Sequence, residues 1–448
     1  MSMRPFSFLS LGIIIVYMLD ITFVRKNAEL VQVKSADKGY PVDVAHVLSL
    51  DTAFRALLTE VEVVRRERNA LADSLKSSKP SPEQIARGRE LKVQVAELEE
   101  KMAAAEAAFL AEFKKIPNMP ADDVPFGKSD EENVVAKTVG EIPKFDFEPK
   151  SHWQIGEARG WIDKERAAKV SGARFCYLMG DLVKLDWAMN RFAMGVLTDE
   201  SILKKIIADN GLSVSSKPFV PVLPPLMIKT APYDAMDRLE PREDRYKIQD
   251  EEIWLQGSAE HVLGSMHADE TFDESQMPVR YVGYATSFRR EAGAAGKDTE
   301  GIIRMHQFNK MEMESFTTAE NSLHEHLFMG AIQEYLMAQL ELPYRVLMKC
   351  TIDIGKPNAR GTDVDVWFPS QNKYRETHTA DYMTDYQARR LNTRVRRATG
   401  SLELVHTNDA TALSQRPLIA ILENYQNEDM TVRVPKVLQQ YMGGKEVI

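Results

Sequence analysis

The clearest pattern of hydrophobic and polar positions lies between residues 44 and 113, where apolar residues recur in alternating steps of three and four. The first segment carries Val47, Leu50, Phe54, Leu57, Val61, Val64, Leu71 and Leu75, and the second carries Leu91, Val95, Leu98, Met102, Ala105 and Phe109. This spacing places each set along one side of a helix. Between them, Pro80 ends one helix and the run Ser81-Pro82-Glu83-Gln84 is a start signal for the next. The pattern predicts an antiparallel coiled-coil hairpin about 45 Å long, and on its own it favours a dimerisation or scaffold role.

From His152 onward the pattern changes to that of a globular domain. Helical periodicity lies around residues 162–210 and 318–340. Strand-like runs lie at residues 219–223, 253–255, 279–285, 302–312, 344–348, 364–368 and 402–405. Hairpin signals separate several of these runs, which predicts a mostly antiparallel sheet with helices packed on it. Residues 114–150 are rich in proline and acidic residues and are predicted to form a linker.

Composition narrows the classes of function. A net charge of −9 excludes a uniformly basic nucleic-acid surface, so any RNA binding must come from local patches. Cys176 and Cys350 are isolated, which excludes a disulfide framework and is typical of a protein of the reducing cytoplasm. The run from His324 to His326 is predicted to lie on a surface helix rather than to bind metal. The chain has no GxGxxG and no GxxxxGK[ST] sequence, so a Rossmann or Walker nucleotide site is excluded.

Basic residues are concentrated in the far half of the predicted hairpin. They include Arg65, Arg66, Arg68, Lys76, Lys79, Arg87 and Arg89. A solvated charged face is the simpler interpretation of such a cluster. A stripe that binds phosphates is the functional one, because such contacts give affinity that does not depend on base sequence.

The segment from Phe288 to Glu314 concentrates the chemistry of the chain. Arg289 is followed two residues later by Glu291, then by a glycine-rich turn that carries Lys297, and then by Arg304, Phe308 and the alternating residues that include Glu312. Read physically, two strands enclose a basic loop and offer arginines for phosphates, an aromatic ring for stacking and a buried acid for a cationic group.

This segment closely resembles motif 2 of class II aminoacyl-tRNA synthetases, in the form found in seryl-tRNA synthetases, and the resemblance extends from about Met18 to the C-terminus. It implies an α+β fold, with an N-terminal antiparallel helical coiled-coil arm followed by a class II catalytic domain built on a mostly antiparallel β-sheet flanked by helices. The implied domains are residues 18–120 for tRNA binding, a linker at 121–151 and the catalytic domain at 152–448. In this family the arm grips the long variable arm of the tRNA.

The N-terminus carries an apolar run at residues 6–19, preceded by Arg4. The run is shorter than the roughly 20 residues of a membrane helix, and no A-x-A-like cleavage site follows it. The sequence MLDITFVRKNAELV from Met18 resembles the usual start of a bacterial seryl-tRNA synthetase. Residues 1–17 are therefore interpreted as an upstream extension outside the fold, with a membrane anchor as the less favoured alternative and no stable membrane association expected.

The resemblance assigns the ATP site. It implies that Arg289 contacts the α-phosphate and the carboxylate of the substrate, Glu291 the adenine side and Phe308 the adenine ring, while Arg304 assists with phosphate. Lys297 would meet the acceptor end of the tRNA. The sequence NDATALSQRPLIAILENYQ from Asn408 resembles motif 3, and its Arg416 would hold the γ-phosphate so that ATP stays bent for in-line attack.

Two further segments complete the implied site. Residues 221–227 (PVLPPLM) resemble motif 1, the strand at the dimer interface, which implies a homodimer. The segment YRETHTADYMTDYQARR resembles the family's Glu-(Ile/Val)-Ser-Ser-Cys-Ser-Asn region. Glu376 and Thr379 match it as oxygen donors and are expected near Mg²⁺. His378, Asp381 and Tyr382 are unusual there.

The serine end of the site departs most from the family. Ser258 and Glu260 stand for the family's Thr-Ala-Glu, and Glu312 matches the acid that recognises serine. Counting six residues back from Arg416 places Ala410 where the family has a serine or threonine. A missing hydrogen bond there would weaken discrimination against other small amino acids unless Thr411, a shifted backbone or water replaces it.

The sequence thus predicts a serine–tRNA ligase that uses ATP and Mg²⁺ to activate L-serine and transfers it to tRNA-Ser, and to tRNA-Sec where that exists. Two alternatives stay open at this stage. One is a synthetase-like protein that loads an amino acid onto another carrier. The other is a non-catalytic RNA-binding paralogue, suggested by Ala410 and the altered residues 376–382.

Overall fold

The computed structural model describes residues 19–76, 81–292 and 301–448. The chain divides into two compact units, one ending at Met119 and one from Pro120 to Ile448. Three sequence expectations lie outside the described residues, namely those on the extension at 1–17, on Lys79 and on Lys297.

The first unit contains helices α1 (Ile21–Lys26), α2 (Ala28–Asp37), α3 (Val44–Ser74) and α4 (Pro82–Phe113). The start signal read from the sequence is confirmed, because Ser81 and Gln84 form a reciprocal capping box at the beginning of α4. Predicted seam residues such as Val61 and Leu91 are buried, and the rings of Phe54 and Phe109 stack with centroids 6.3 Å apart. The antiparallel hairpin predicted from the heptads is therefore present.

The second unit mixes helices with strands. Its helices are α5 (His152–Ala158), α6 (Lys164–Ser171), α7 (Asp181–Thr198), α8 (Glu200–Asp209), α9 (Thr230–Ala235), α10 (Glu260–Gly264), α11 (Ser322–Gln339), α12 (Tyr386–Leu391), α13 (Gln415–Asn424) and α14 (Lys436–Gln439). Its strands are β1 (Val134–Val139), β2 (Ile162–Asp163), β3 (Tyr177–Leu178), β4 (Val220–Val222), β5 (Met227–Lys229), β6 (Ile253–Leu255), β7 (Thr271–Asp273), β8 (Val279–Phe288), β9 (Gln307–Thr317), β10 (Tyr344–Met348), β11 (Arg360–Phe368), β12 (Lys373–Thr384), β13 (Arg394–Arg396), β14 (Leu402–Leu404) and β15 (His406–Ser414).

The main sheet of the described residues has eight strands in the order β1-β10-β11-β12-β15-β9-β8-β4. All neighbours are antiparallel except β4 and β8, which confirms the predicted mostly antiparallel sheet. Residues from α7, α11 and α13 join one face of the sheet in the main hydrophobic core. The opposite face of the central strands β9, β12 and β15 is thereby left for polar side chains, since successive residues of a strand point to opposite faces.

Three sequence expectations need correction. The strand expected at residues 302–312 begins only at Gln307, because residues 301–304 form a turn. The run from His324 to His326 lies on a helix, as predicted, but Glu325 and His326 are buried. Glu325 is buried because it pairs with the equally buried Arg280 at 2.6 Å. Strand β1 falls within the segment expected to be a linker and forms one edge of the sheet.

Among the helices that the structure describes, we find none with the length and apolar character needed to cross a membrane.

Candidate active site

The polar face of the sheet carries a cavity of about 370 Å³. Its lining includes most of the residues that the sequence predicted to bind ATP or serine. These are Glu260, Arg289, Glu291, Arg304, Phe308, Glu312, Glu376, Thr379 and Arg416. Residues separated by as many as 156 positions, from Glu260 to Arg416, are thus brought together by three adjacent strands and two helix N-termini.

Arg289 follows β8 at one end of the cavity. Its backbone N–H donates to the His306 carbonyl at 3.0 Å, which closes the hairpin with β9. Its side-chain Nε donates to the Gly257 carbonyl at 3.0 Å, and its guanidinium lies over the Phe308 ring at 5.3 Å. The arginine is therefore held on two sides, which leaves the rest of its guanidinium fork directed at the cavity as a preorganised anion site.

Glu291 and Arg304 form an ion pair across the root of the glycine-rich loop. Glu291 adopts a left-handed backbone conformation with φ of 54°, which turns its carboxylate back toward Arg304. Both residues line the cavity beside Phe308. The pair therefore holds Glu291 and Arg304 in a fixed relation to each other within the cavity lining.

Arg416 and Glu376 meet at the opposite wall. Arg416 is the second residue of α13, and its Nη1 donates to the Glu376 carbonyl at 2.5 Å while lying 3.4 Å from the Glu376 carboxylate. The Ser414 hydroxyl caps the helix by accepting from the Arg416 N–H. Desolvation in the cleft raises the pKa of Glu376, but Arg416 and Lys349 outweigh it, so the carboxyl stays ionised.

Thr379 leads to two residues that the sequence analysis missed. Its hydroxyl donates to the Asp363 carboxylate on the neighbouring strand, and Lys349 Nζ lies 3.8 Å from the same carboxylate. Burial raises the pKa of Asp363 to about 8, although Lys349 lowers it. Asp363 lies opposite Thr379 on the neighbouring strand, and this pairing could have identified Asp363. The pairing can be used only when the register of β11 against β12 is known, and the sequence alone does not give it.

The oxygen donors around Glu376 suit magnesium. Mg²⁺ prefers carboxylate and hydroxyl oxygen together with substrate phosphates, and the carboxylates of Glu376 and Asp363 lie with the Thr379 hydroxyl on adjacent strands. The chemistry of this donor set fits the ion that the sequence analysis expected there.

The serine end contains a compact polar cluster. The Ser258 hydroxyl donates to Glu260 at 2.7 Å and lies 3.5 Å from Glu312. Lys310, which the sequence analysis did not single out, places its Nζ 2.6 Å from Glu312 and 3.6 Å from Glu260. Burial raises the pKa of Glu312 to about 7, with Lys310 opposing that rise. Lys310 and Glu312 share a strand face because they are two residues apart, so alternation alone could have identified Lys310.

Ala410 is not part of the cavity, and its assignment to the serine site was wrong. Its methyl group is buried in the main hydrophobic core with Ala380 and Ala412, on the far face of β15. The neighbouring Asp409 and Thr411 line the cavity instead. The Thr411 hydroxyl lies 3.4 Å from Glu312 Oε1, where it donates a hydrogen bond. The pairing of β15 with β9 shifts between Thr411 and Leu413, so counting back from Arg416 selects the wrong residue.

The fold and the site together define a class of protein. An antiparallel sheet that presents Arg289 from a hairpin and Arg416 from the start of a helix has the arrangement of a class II aminoacyl-tRNA synthetase core. Residues 245–425 match the family model described as "tRNA synthetase class II core domain (G, H, P, S and T)".

The particular family follows from the first unit and from whole-chain relatives. Residues 18–120 match the "Seryl-tRNA synthetase N-terminal domain". The serine–tRNA ligase of Pyrococcus horikoshii is 38% identical over 96% of this chain and 98% of its own length, and that of Exiguobacterium sibiricum is 37% identical over 96% and 100%. A crystal structure of the Pyrococcus horikoshii enzyme complexed with ATP superposes with a TM-score of 0.85 at 37% identity, covering 96% of this chain and 99% of that one. The chain belongs to the seryl-tRNA synthetase family, and is a serine–tRNA ligase.

Proposed function

We propose that this chain activates L-serine with ATP in the cavity between Arg289 and Arg416 and then transfers the seryl group to tRNA-Ser, and to tRNA-Sec where that exists. The observation that carries the proposal is the polarity of the cavity. Arginines that suit phosphates (Arg289, Arg304 and Arg416) and carboxylates that suit an ammonium group (Glu260 and Glu312) line the same cavity. One molecule of ATP and one of serine are thereby oriented for reaction.

In the first step, a serine carboxylate oxygen attacks the α-phosphorus of ATP. A new phosphorus–oxygen bond forms, and the bond from the α-phosphorus to the bridging oxygen breaks to release pyrophosphate. Arg289 stabilises charge on the α-phosphate, and Arg416 holds the γ-phosphate so that the leaving group stays in line. Arg304 assists with phosphate, while Glu291 and Phe308 hold the adenine. Glu376 and Thr379 would hold Mg²⁺, which neutralises phosphate charge when bound.

In the second step, a hydroxyl of the terminal tRNA ribose attacks the seryl carbonyl and AMP leaves. Glu260 and Glu312 keep the serine ammonium and hydroxyl in place through both steps, with Ser258 and Thr411 as hydroxyl partners of these carboxylates. Each polar group of serine then has a partner, which disfavours amino acids that lack the hydroxyl.

We further propose that the α3–α4 hairpin binds the long variable arm of tRNA-Ser. The basic residues predicted to contact tRNA differ in whether their side chains already form ion pairs within the hairpin. Arg65 and Arg87 are held in cross-helix ion pairs with Glu99 and Glu67 at 2.7 and 2.6 Å. Arg66 and Arg89 are exposed on the same half of the arm and are the principal phosphate contacts in this proposal.

A homodimer is proposed from the exposed apolar residues around β4. Leu223 is 85% exposed, and Val220 and Met227 are each 51% exposed, next to a strand at the edge of the main sheet. Clustered apolar side chains of this size favour an interface. We expect the assembly to act in the cytoplasm, where thiols such as Cys176 and Cys350 remain reduced.

The test is ATP–pyrophosphate exchange with serine, threonine, alanine, glycine and cysteine, followed by charging of tRNA-Ser. Serine is expected to give the highest kcat/KM and to be transferred. Preference for another amino acid would overturn the serine assignment. Absence of exchange with all five would favour a non-catalytic paralogue, and exchange without charging would favour a protein that loads another carrier.

A further inference from the structure

Arg238 contacts carboxylates that line the cavity near the proposed serine site. Its Nη2 lies 3.2 Å from Asp409 Oδ2 and 3.6 Å from Asp381 Oδ2, and its Nε lies 3.8 Å from Glu260 Oε1. All three carboxylates line the cavity. The arginine side chain is only 16% exposed. One buried guanidinium therefore joins three cavity carboxylates that come from α10, β12 and β15.

The backbone around Arg238 is held rigidly in place. Its carbonyl accepts two hydrogen bonds from the Arg245 guanidinium, at 3.2 and 3.1 Å. The preceding Asp237 has a left-handed φ of 55°, and its carboxylate pairs with Lys356 at 2.9 Å and accepts from the Tyr386 hydroxyl at 3.0 Å. The contacts of Asp237 and of the Arg238 carbonyl hold the backbone in place and so fix the position of the guanidinium. A side chain that orients its neighbours must itself be fixed in this way.

The surroundings contain more carboxylates than cations. Strand β9 presents Lys310, Glu312 and Glu314 to the same cluster. Glu314 is fully buried, and the described residues offer neither of its oxygens a hydrogen-bond partner. His261 Nε2 lies 3.5 Å from Glu260, and the charge of Lys349 lowers the pKa of Asp381 against the rise that burial causes. With several acids so close together, the charge of each depends on the cations that remain beside it.

The protonation states follow that balance. Burial raises the pKa of Asp409 and of Glu314 well above their usual ranges. Burial also raises the pKa of Glu260, but Lys310, His261 and Arg238 more than offset it and hold that pKa well below its usual range. Glu260 thus stays ionised, and it accepts a hydrogen bond from Ser258 in the cavity.

We propose that Arg238 is a positioning residue for amino-acid recognition, which keeps Glu260 charged and aimed at the substrate ammonium without touching the substrate itself. This inference rests on the proposed function of the cavity and adds a specificity-determining residue to it. The Arg238 guanidinium also lies against Asp381 and donates a hydrogen bond to Asp409, so that this wall presents less negative charge to the substrate carboxylate. Arg289 and Arg416, which we propose bind ATP, do not belong to the ion pairs of Arg238, so the affinity for ATP is expected to survive its loss.

The test compares Arg238→Met, Arg238→Lys and wild type by pyrophosphate exchange over a range of pH. Removal of a buried partner of a charged group is expected to raise KM for serine about tenfold to a hundredfold in Arg238→Met, with KM for ATP unchanged. The loss is expected to be largest at low pH and smaller at high pH, because Glu260 without Arg238 takes up a proton more readily. Arg238→Lys restores the charge and is expected to recover much of the serine affinity and the wild-type pH profile.

The matched control is Arg360→Met, which removes another buried arginine, paired with Asp123 at 2.9 Å away from the cavity lining. It is expected to lower thermal stability without altering the pH profile for serine. If Arg238→Met is folded and keeps the serine KM and pH profile of wild type, the inference is overturned. If Arg238→Met lowers serine and ATP binding together, the role is structural and the inference is equally overturned. If Arg238→Met is too unstable to assay, Arg238→Lys is judged alone, and a loss of ATP affinity as large as its loss of serine affinity overturns the inference. Wild-type exchange with serine tests the proposed function separately, so the two failures are distinguishable.

Discussion

The Arg416 guanidinium is tied to the main chain of Glu376, since its Nη1 donates to the Glu376 carbonyl at 2.5 Å and also lies 3.4 Å from the Glu376 carboxylate. Arg416, proposed to bind the γ-phosphate, and Glu376, proposed to bind magnesium, are thus held in a fixed position relative to each other. Arg416 lies in the first turn of α13, whose apolar face is buried in the core, and its contacts with Glu376 restrict the guanidinium. Rigid placement of this kind lets a charge act in a transition state without reorganisation.

Replacement of Arg416 by alanine is therefore expected to abolish adenylate formation while the fold persists. The lost contact is charge-assisted and directed at a phosphate, so kcat/KM in pyrophosphate exchange should fall on the order of a hundredfold or more. Arg375→Ala, one residue from Glu376 but outside the cavity lining, is the matched control. Near-normal exchange in a folded Arg416→Ala protein would reject the assignment of Arg416.

The dependence of the KM for serine on pH is expected to follow the protonation of Glu312. Burial raises the pKa of this carboxyl to about 7, and Lys310 works against that rise. Below that pH Glu312 is protonated and cannot attract the serine ammonium, so KM for serine should rise by up to about tenfold for each pH unit below 7. Above that pH the carboxylate is charged and KM should level off.

Glu312→Gln supplies the control for this titration. A neutral amide cannot change charge, so the variant is expected to have a high KM for serine with no inflection near neutral pH. A wild-type KM that stays flat from about pH 6 to pH 8 would contradict the role of Glu312. KM for ATP, measured in the same series, is expected to be insensitive to this group.

The next prediction concerns the basic residues on the far half of the α3–α4 hairpin. Reversing Arg66 and Arg89 together to glutamate should weaken tRNA charging steeply and flatten its salt dependence, because two phosphate contacts are lost. Serine activation without tRNA should be unchanged. Lys101→Glu, a charge reversal of an exposed residue on the other half of α4, is the control. If the double variant charges tRNA-Ser at the wild-type rate, the arm contributes to the fold rather than to tRNA binding.

The sequence predicted the parts of the site that lie in short, spaced motifs. Arg289, Phe308 and Glu312 belong to one hairpin, so their spacing along the chain determines their spacing in space. Arg238 belongs to no motif and meets Asp409, 171 residues away, only after the whole sheet has formed. A long-range contact of this kind leaves no local periodic signal, whereas the helical hairpin does.

The register of β15 decides the last prediction, because the pairing shift between Thr411 and Leu413 turns Thr411 toward the cavity and Ala410 toward the core. Thr411→Val keeps the shape but removes the hydroxyl that donates to Glu312, so it should weaken discrimination between serine and alanine by up to about tenfold, or roughly 0.5–1.5 kcal/mol. Ala410→Ser should leave that discrimination unchanged. It buries an extra hydroxyl in the apolar core and should lower the free energy of unfolding by about 1–3 kcal/mol. Pyrophosphate exchange with both amino acids and thermal unfolding of both variants separate the two effects. Improved serine discrimination in Ala410→Ser would show that residue 410, not Thr411, faces the substrate.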